Sequence, residues 1–317
     1  MRAQHSVLPA PPGLPAHLRA LYPFDSHWLD LDGMKLHYLD EGHGAPVVML
    51  HGNPTWSFYW REMVKALRGT HRCIVPDHIG MGLSDKPSDT RYTYTLASRL
   101  RDLERLLEHA GVRENVTLIL HDWGGMIGMA WAARHPEMVK RLVILNTAAF
   151  HLPKSKPFPW SLWLARTPLG ALLVRALNMF AYGAVKTCVT RRALPPEVRE
   201  ALLHPYDSWA HRIAVLRFVQ DIPLKVGDPS YELVDETARQ LERFRGVPMQ
   251  IFWGMRDFVF DQHFLTEWVR RFPDAEVMRF DDGGHYILED ATEDIVPRVR
   301  AFLGVATPIQ TDQDSCV

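Results

Sequence analysis
Apolar residues fall along this chain in two rhythms, as short unbroken runs and as runs spaced by three and four. The unbroken runs predict buried strands at Pro46–Leu50 and at residues 73–76, 116–120, 141–145, 249–253 and 277–280. Helical spacing marks residues 94–110, where Leu96, Leu100, Leu103, Leu106 and Leu107 share a face. Gly111 follows that helix as a left-handed cap would require, and Pro136 stops a second helix over 124–134. Two more helices are predicted over 263–272 and 295–303, and a hairpin over 28–39 turns at Asp32-Gly33. Strands alternating with helices predict a mostly parallel sheet flanked by helices.

The alternation lapses over 150–241, a stretch rich in Trp, Leu, Pro and Arg with no clear strand. A helical block set into such a sheet reads as a lid. The expected organisation is a core in two parts, 1–149 and 242–303, with the lid at 150–241 and a polar tail at 304–317 expected to be disordered. Within the lid, residues 168–185 are apolar apart from Arg175 and Asn178 and predict a buried helix. The wall of an alkyl tunnel and a surface for a hydrophobic partner are the alternatives. A membrane span is not expected, because Arg166, Pro168 and Arg175 interrupt the run.

Composition narrows the classes without choosing among them. The chain has 317 residues, 47% apolar and 23% charged, with a net charge of −1. That balance gives no general reason to expect nucleic acid or an anionic membrane, although the total does not exclude a local basic patch. Cys73, Cys188 and Cys316 are too few and too scattered for a disulfide framework and fit a reducing compartment. Pro9, Pro11, Pro12 and Pro15 break the N-terminal stretch, which has no apolar core of the secretory kind. A cytoplasmic protein is expected. No dinucleotide fingerprint or clustered metal ligands appear, so no cofactor is expected.

The segment Val116-Thr-Leu-Ile-Leu-His-Asp-Trp-Gly-Gly125 runs a strand straight into a helix through a tight turn. Such a turn holds one side chain out at the carboxyl edge of a sheet, as the nucleophile elbow of the α/β-hydrolase fold does. Serine usually stands there; this chain has Asp122. A carboxylate is ionised at neutral pH and attacks carbon without a general base. Asp at a strand–helix junction is also a common N-cap, and the other motifs weigh against that plainer role.

His51-Gly-Asn-Pro54 ends the first buried strand, and the loop at this place in the fold supplies one N–H of an oxyanion hole. The residue after the nucleophile supplies the other. These are Asn53 and Trp123, and each also carries a side-chain N–H to hold a leaving anion. The candidate base is His285, carried on Asp281-Asp-Gly-Gly-His-Tyr286 after the last strand. Its partner acid is expected at Asp257, with Asp261 the near competitor; Asn146 and Thr147, at another place where the acid is found, are not acids. His51 and His121 are candidates for support only.

These motifs resemble the haloalkane dehalogenase family, taken broadly, over nearly the whole of residues 24–303. The segments that carry the likeness are His51-Gly-Asn-Pro-Thr55, Pro76-Asp-His-Ile-Gly-Met-Gly-Leu-Ser-Asp-Lys-Pro87, His121-Asp-Trp-Gly-Gly125 and Gly284-His-Tyr-Ile-Leu-Glu-Asp290. The resemblance implies that Asp122 attacks carbon while Asn53 and Trp123 bind the departing anion. Epoxide hydrolases are cousins that lack this Asn–Trp pair. Within the family, Ile251-Phe-Trp-Gly-Met-Arg-Asp-Phe-Val-Phe-Asp261 and Pro157-Phe-Pro-Trp-Ser-Leu-Trp-Leu164 are similar to the subgroup that decarboxylates β-lactones in bacterial long-chain olefin biosynthesis. That likeness implies conversion of a cis-3,4-dialkyl-oxetan-2-one to a cis-alkene and carbon dioxide, by attack at either the alkyl carbon or the carbonyl. It also implies assembly with neighbouring pathway enzymes. Hydrolytic dehalogenation is the alternative activity. A non-catalytic binding protein is a third reading, disfavoured because all three triad positions are filled.

Overall fold
A computed structural model of the chain describes residues 5–8 and 13–305. Its centre is a nine-stranded sheet of order β1-β2-β3-β5-β4-β6-β7-β8-β9. The strands are β1 His5–Leu8, β2 Ser26–Asp30, β3 Lys35–Glu41, β4 Pro46–Leu50, β5 Arg72–Pro76, β6 Val116–Asp122, β7 Val139–Thr147, β8 Met249–Gly254 and β9 Glu276–Phe280. β1 to β3 pair antiparallel, and β3 joins β5 antiparallel; β4 to β9 are parallel. The β2–β3 hairpin turns through Asp32 and Gly33, both at positive φ (58° and 79°) as a tight hairpin turn needs.

The central strands read as unbroken apolar runs because both of their faces are covered. One face buries Val48, Leu50, Leu118 and Leu120 against helices α2 (Leu96–His109) and α3 (Trp123–Arg134). The other buries Val47, Met49, Val75 and Ile119 against α1 (Arg61–Leu67) and the C-terminal helix Thr292–Phe302. After β4 the chain crosses to β5 on one side and then returns to β6 on the other. Connections leaving β4 and β6 in opposite directions open a crevice at their carboxyl ends, where ligands bind in such sheets.

Between β7 and β8 the described chain contains helices and no strand. These include α4 (Trp160–Arg166), α5 (Pro168–Leu177), α6 (Met179–Thr187), α7 (Pro196–Leu203), α8 (Ile213–Gln220) and α9 (Tyr231–Gln240). The single buried helix expected over 168–185 is instead two helices, bent by 79°. Asn178 makes the break: it is left-handed at φ 54°, and its buried amide donates to the Tyr206 carbonyl at 3.1 Å. Asn adopts that backbone more readily than other side chains, so one of the two polar residues in the apolar run became a corner. Nor is the segment wholly buried, since Leu169, Leu172, Leu177, Met179 and Tyr182 are exposed. Among the described residues no single helix is long and apolar enough to cross a membrane. The chain resumes with β8, α10 (Gln262–Arg271), β9 and α11 (Thr292–Phe302). Of the expected polar tail, all but Gly304 and Val305 lies outside the described residues.

Candidate active site
The elbow is built where β6 meets α3. Asp122 ends the strand at φ 52°, ψ −127°, a conformation imposed by the tight turn. Small residues make the turn possible. A Cβ on Gly124 would lie 2.0 Å from the Leu50 carbonyl oxygen, and one on Gly125 would lie 1.9 Å from Thr147 Oγ1. The Thr147 hydroxyl also donates to the Asp122 carbonyl, tying the turn to β7.

The two carboxylate oxygens of Asp122 have different surroundings. Oδ1 accepts the backbone N–H of Asn53 at 2.8 Å and that of Trp123 at 2.6 Å. Oδ2 lies 3.2 Å from Nε2 of His285. The loop after β4 comes this close because Gly52 lacks a side chain: its Cβ would stand 2.0 Å from Asp122 Oδ1. Gly52→Ala is therefore expected to displace the carboxylate and lower turnover by about 10²-fold, as misplacement of a reacting group does. Steady-state kinetics beside a thermal melt will test it, and wild-type kcat in a folded Gly52→Ala protein would contradict it.

His285 is buried between two carboxylates, its Nδ1 donating to Asp257 Oδ2 at 2.7 Å. Burial alone would push its pKa down. The Asp257 charge and the bonds to Asp122 and Asp257 outweigh burial and lift it to about 10. The resting pair is thus an imidazolium beside a carboxylate. Burial pushes the Asp122 carboxyl up, but the His285 bond and charge prevail and hold it below its ordinary value.

Asp257 is fixed from several sides. Its Oδ1 accepts the N–H groups of Val259 and Phe260, and its Oδ2 accepts Asn146 Nδ2 at 3.0 Å. Asp261 stands apart from His285: it caps α10 and pairs with Lys156 at 2.7 Å. Asn146 was passed over in the sequence because it is not an acid. It donates to Asp257 and to the Gly254 carbonyl while accepting the Gly254 N–H, so it clamps the loop that carries Asp257. Its signal in the sequence was a polar side chain at the end of an otherwise apolar strand run.

Of the supporting histidines, His121 donates through Nε2 to the His285 carbonyl at 2.8 Å. Burial, and then the His285 charge, push its pKa down to about 3, so it stays neutral. His51 packs against His78 at 4.4 Å between ring centres and accepts the His78 N–H. The Asn53 side chain donates to the Val215 carbonyl of α8 at 3.0 Å, which ties the loop after β4 to α8. Behind Trp123 and Phe218 lies buried Arg99, its guanidinium 3.7 Å from the Phe218 ring centre and 5.6 Å from that of Trp123. That guanidinium is paired with the buried Asp221 carboxylate at 3.2 Å, so it braces the Trp123 wall from behind without leaving an unpaired charge there.

Asn53, Asp122, Trp123 and His285 line one cavity of about 340 Å³, and its other walls are mostly apolar. Phe150 and Phe260 flank the site, while Leu173, Val174 and Phe180 come from α5 and α6. Among the described residues no group of three or more His, Cys, Asp or Glu could hold a metal ion. The arrangement can form an ester between Oδ2 and an electrophilic carbon, and hold an anion beside it.

A carboxylate on a strand-to-helix turn at the crevice of a mostly parallel sheet defines a class: the chain belongs to the α/β hydrolase fold family, whose model matches residues 45–292. Its relatives sharpen the assignment. It is 56% identical to the cis-3-alkyl-4-alkyloxetan-2-one decarboxylase of Shewanella oneidensis over 287 residues, 90% of each chain. It is 52% identical to the decarboxylase of the same name from Xanthomonas campestris over 291 residues, 89% of this chain and 97% of that one. Among solved structures, the haloalkane dehalogenase DbeA of Bradyrhizobium elkani superposes with a TM-score of 0.77 at 26% identity, covering 88% of this chain and 97% of that one.

Proposed function
We propose that this protein is a β-lactone decarboxylase, converting a cis-3-alkyl-4-alkyloxetan-2-one to a cis-alkene and carbon dioxide. The observation that carries the reading is the high identity to the two decarboxylases over nearly their whole lengths. Asp122 acts as the nucleophile, His285 as its charged partner, Asp257 as the acid that orients His285, and the side chains of Asn53 and Trp123 as donors to the released anion. Residues 150–241 act as the lid over core segments 1–149 and 242–303.

Attack at the alkyl carbon is the route that balances without water. Oδ2 displaces the ring oxygen from C4 with inversion, giving an alkyl ester of Asp122 and a free substrate carboxylate. That carboxylate then leaves as carbon dioxide. Its C–C bonding pair becomes the alkene π bond, and the ester C–O bond breaks, returning its electrons to Oδ2. Inversion followed by anti collapse gives the cis-alkene from the cis-lactone. In the second step negative charge moves onto Asp122, where His285 and two backbone N–H groups already face it. An imidazolium in that position stabilises the returning carboxylate, and no step of this route needs water. Attack at the carbonyl would give a mixed anhydride, from which carbon dioxide has no direct exit.

The alkyl chains suit a cavity walled by Leu173, Val174 and Phe180. We place the protein in the cytoplasm, in long-chain olefin biosynthesis, assembled with the enzymes that supply its lactone. Its buried, unpaired Cys73 and Cys188 are compatible with that reducing compartment.

Purified protein offered a cis-dialkyl β-lactone and a 1-bromoalkane in parallel is expected to release alkene from the first and little bromide from the second. His285→Phe should slow alkene formation without diverting the lactone to hydroxy acid, since no water has to attack. Gas chromatography of alkene and mass spectrometry of the intact protein will read both substrates. Rapid bromide release, an alkyl group trapped on Asp122 of the His285→Phe protein and no alkene would make the enzyme a dehalogenase instead.

A further inference from the structure
α4, α5 and α6 each carry an apolar stripe on the side that faces away from the protein. Trp160 and Trp163 are 77% and 62% exposed, and Leu169 is 60% exposed. Leu172, one helical turn beyond Leu169, is exposed too, as are Met179 and Tyr182, one turn apart on α6. Opposite stripes of the same helices, including Leu164, Leu173 and Phe180, line the cavity that contains Asp122. This wall is apolar on both sides. The outer patch also runs into the inner one, because Trp160 and Met179 are both exposed and cavity-lining.

Charge is distributed unevenly over the same segment. Between Glu137 and Glu197 the sequence has no Asp or Glu, whereas Lys154, Arg166, Arg175 and Lys186 all lie within it. Lys154 and Lys186 are exposed, and among the described residues no carboxylate pairs with either. Lys186 follows Tyr182 by one turn at the end of the exposed α6 stripe. The chain as a whole has a net charge of −1, so this basic character is local.

We propose that the outer face of α4, α5 and α6 docks on an anionic lipid surface, with the mouth of the active-site cavity turned toward the bilayer. Helices lying in the interface present Trp, Leu and Tyr to the acyl boundary and Lys or Arg to the headgroups. The 79° bend between α5 and α6 suits two short helices lying on the surface, not one rod through it. The orientation of the mouth rests on the apolar substrate proposed above. A dialkyl lactone dissolved among lipid tails would reach Asp122 through Trp160 and Met179 without crossing water.

Sedimentation with vesicles, in the absence of substrate, tests the docking independently of any activity. Vesicles of phosphatidylcholine with one quarter phosphatidylglycerol should bind the full-length protein at least tenfold more tightly than vesicles of phosphatidylcholine alone. Lys154→Glu with Lys186→Glu should remove that preference. Trp163→Ala, Leu172→Gln and Tyr182→Gln together should lower binding to both vesicles by tenfold or more while leaving the circular dichroism spectrum unchanged. Binding that ignores phosphatidylglycerol, or that survives the triple substitution, would overturn the proposal. So would a wild-type protein that ignores vesicles and self-associates through the patch, seen as a gel-filtration shift that the triple substitution abolishes. A protein that binds vesicles as described but makes no alkene would leave the docking intact and refute the assigned reaction.

Discussion
Asp122→Asn is expected to fold like the wild type and release no measurable alkene, a loss on the order of 10⁴-fold or more. The folded state should tolerate the change because the amide oxygen can still accept both N–H groups, from Asn53 and Trp123, that now bind Oδ1. The loss falls on the other atom. An amide nitrogen in the place of Oδ2 has no lone pair for attack on carbon. It also presents a donor to His285 Nε2, which lies 3.2 Å from Oδ2 in the wild type. Alkene measured by gas chromatography, with the intact mass showing no deamidation back to Asp, decides the matter. More than a few per cent of wild-type turnover from the intact amide would rule out a covalent role for Asp122.

The second large effect is expected at Asp257. Asp257→Asn removes the anion that contributes most to raising His285 and turns a donor toward Nδ1, which itself donates there at 2.7 Å. Turnover should fall by about 10² to 10⁴-fold, the range over which loss of an orienting carboxylate acts. The pH profile should change as well. In the wild type His285 stays protonated up to about pH 10, so the alkaline fall in alkene formation belongs near that value. Without the Asp257 charge the folded-state pKa drops, and the fall should move to lower pH. Asp261→Asn serves as the control. It keeps an N-cap for α10, because Asn caps a helix as well as Asp does, loses only the charge opposite Lys156, and should leave both turnover and profile nearly unchanged. Equal losses from the two substitutions, or an unmoved alkaline limb in Asp257→Asn, would count against the assigned acid.

The sheet was legible in the sequence because its strands are buried on both faces. Val47 to Leu50 and Leu118 to Leu120 leave no polar position to blur the pattern, and the strand expected at Pro46–Leu50 has those same limits in the structure. The gathering of Asp122, Asp257 and His285 was legible for a related reason. Each stands at or within five residues of the carboxyl end of a strand in the parallel part of the sheet, so all three fall on one edge. Asn146 was illegible because its role lies in bonds to Gly254 and Asp257, far along the chain. The corner at Asn178 was hidden by the apolar residues around it. Helical periodicity reports which positions agree on a face, and one left-handed residue changes the direction of everything after it without disturbing that count.

The grip of two N–H groups on Oδ1 has one more consequence. A free carboxylate is symmetric, and its two oxygens exchange by a half-turn about the bond to Cβ. At Asp122 that turn would break both bonds from Asn53 and Trp123, so a single oxygen points at the substrate from a single direction. The ring carbon it meets must present its back side along that line while its chains lie against fixed walls. Two mirror-image cis-lactones set their chains differently along that line, so the nucleophile proposed here is expected to act as a chiral reagent. Offered a racemate, it should consume one enantiomer and leave the other behind.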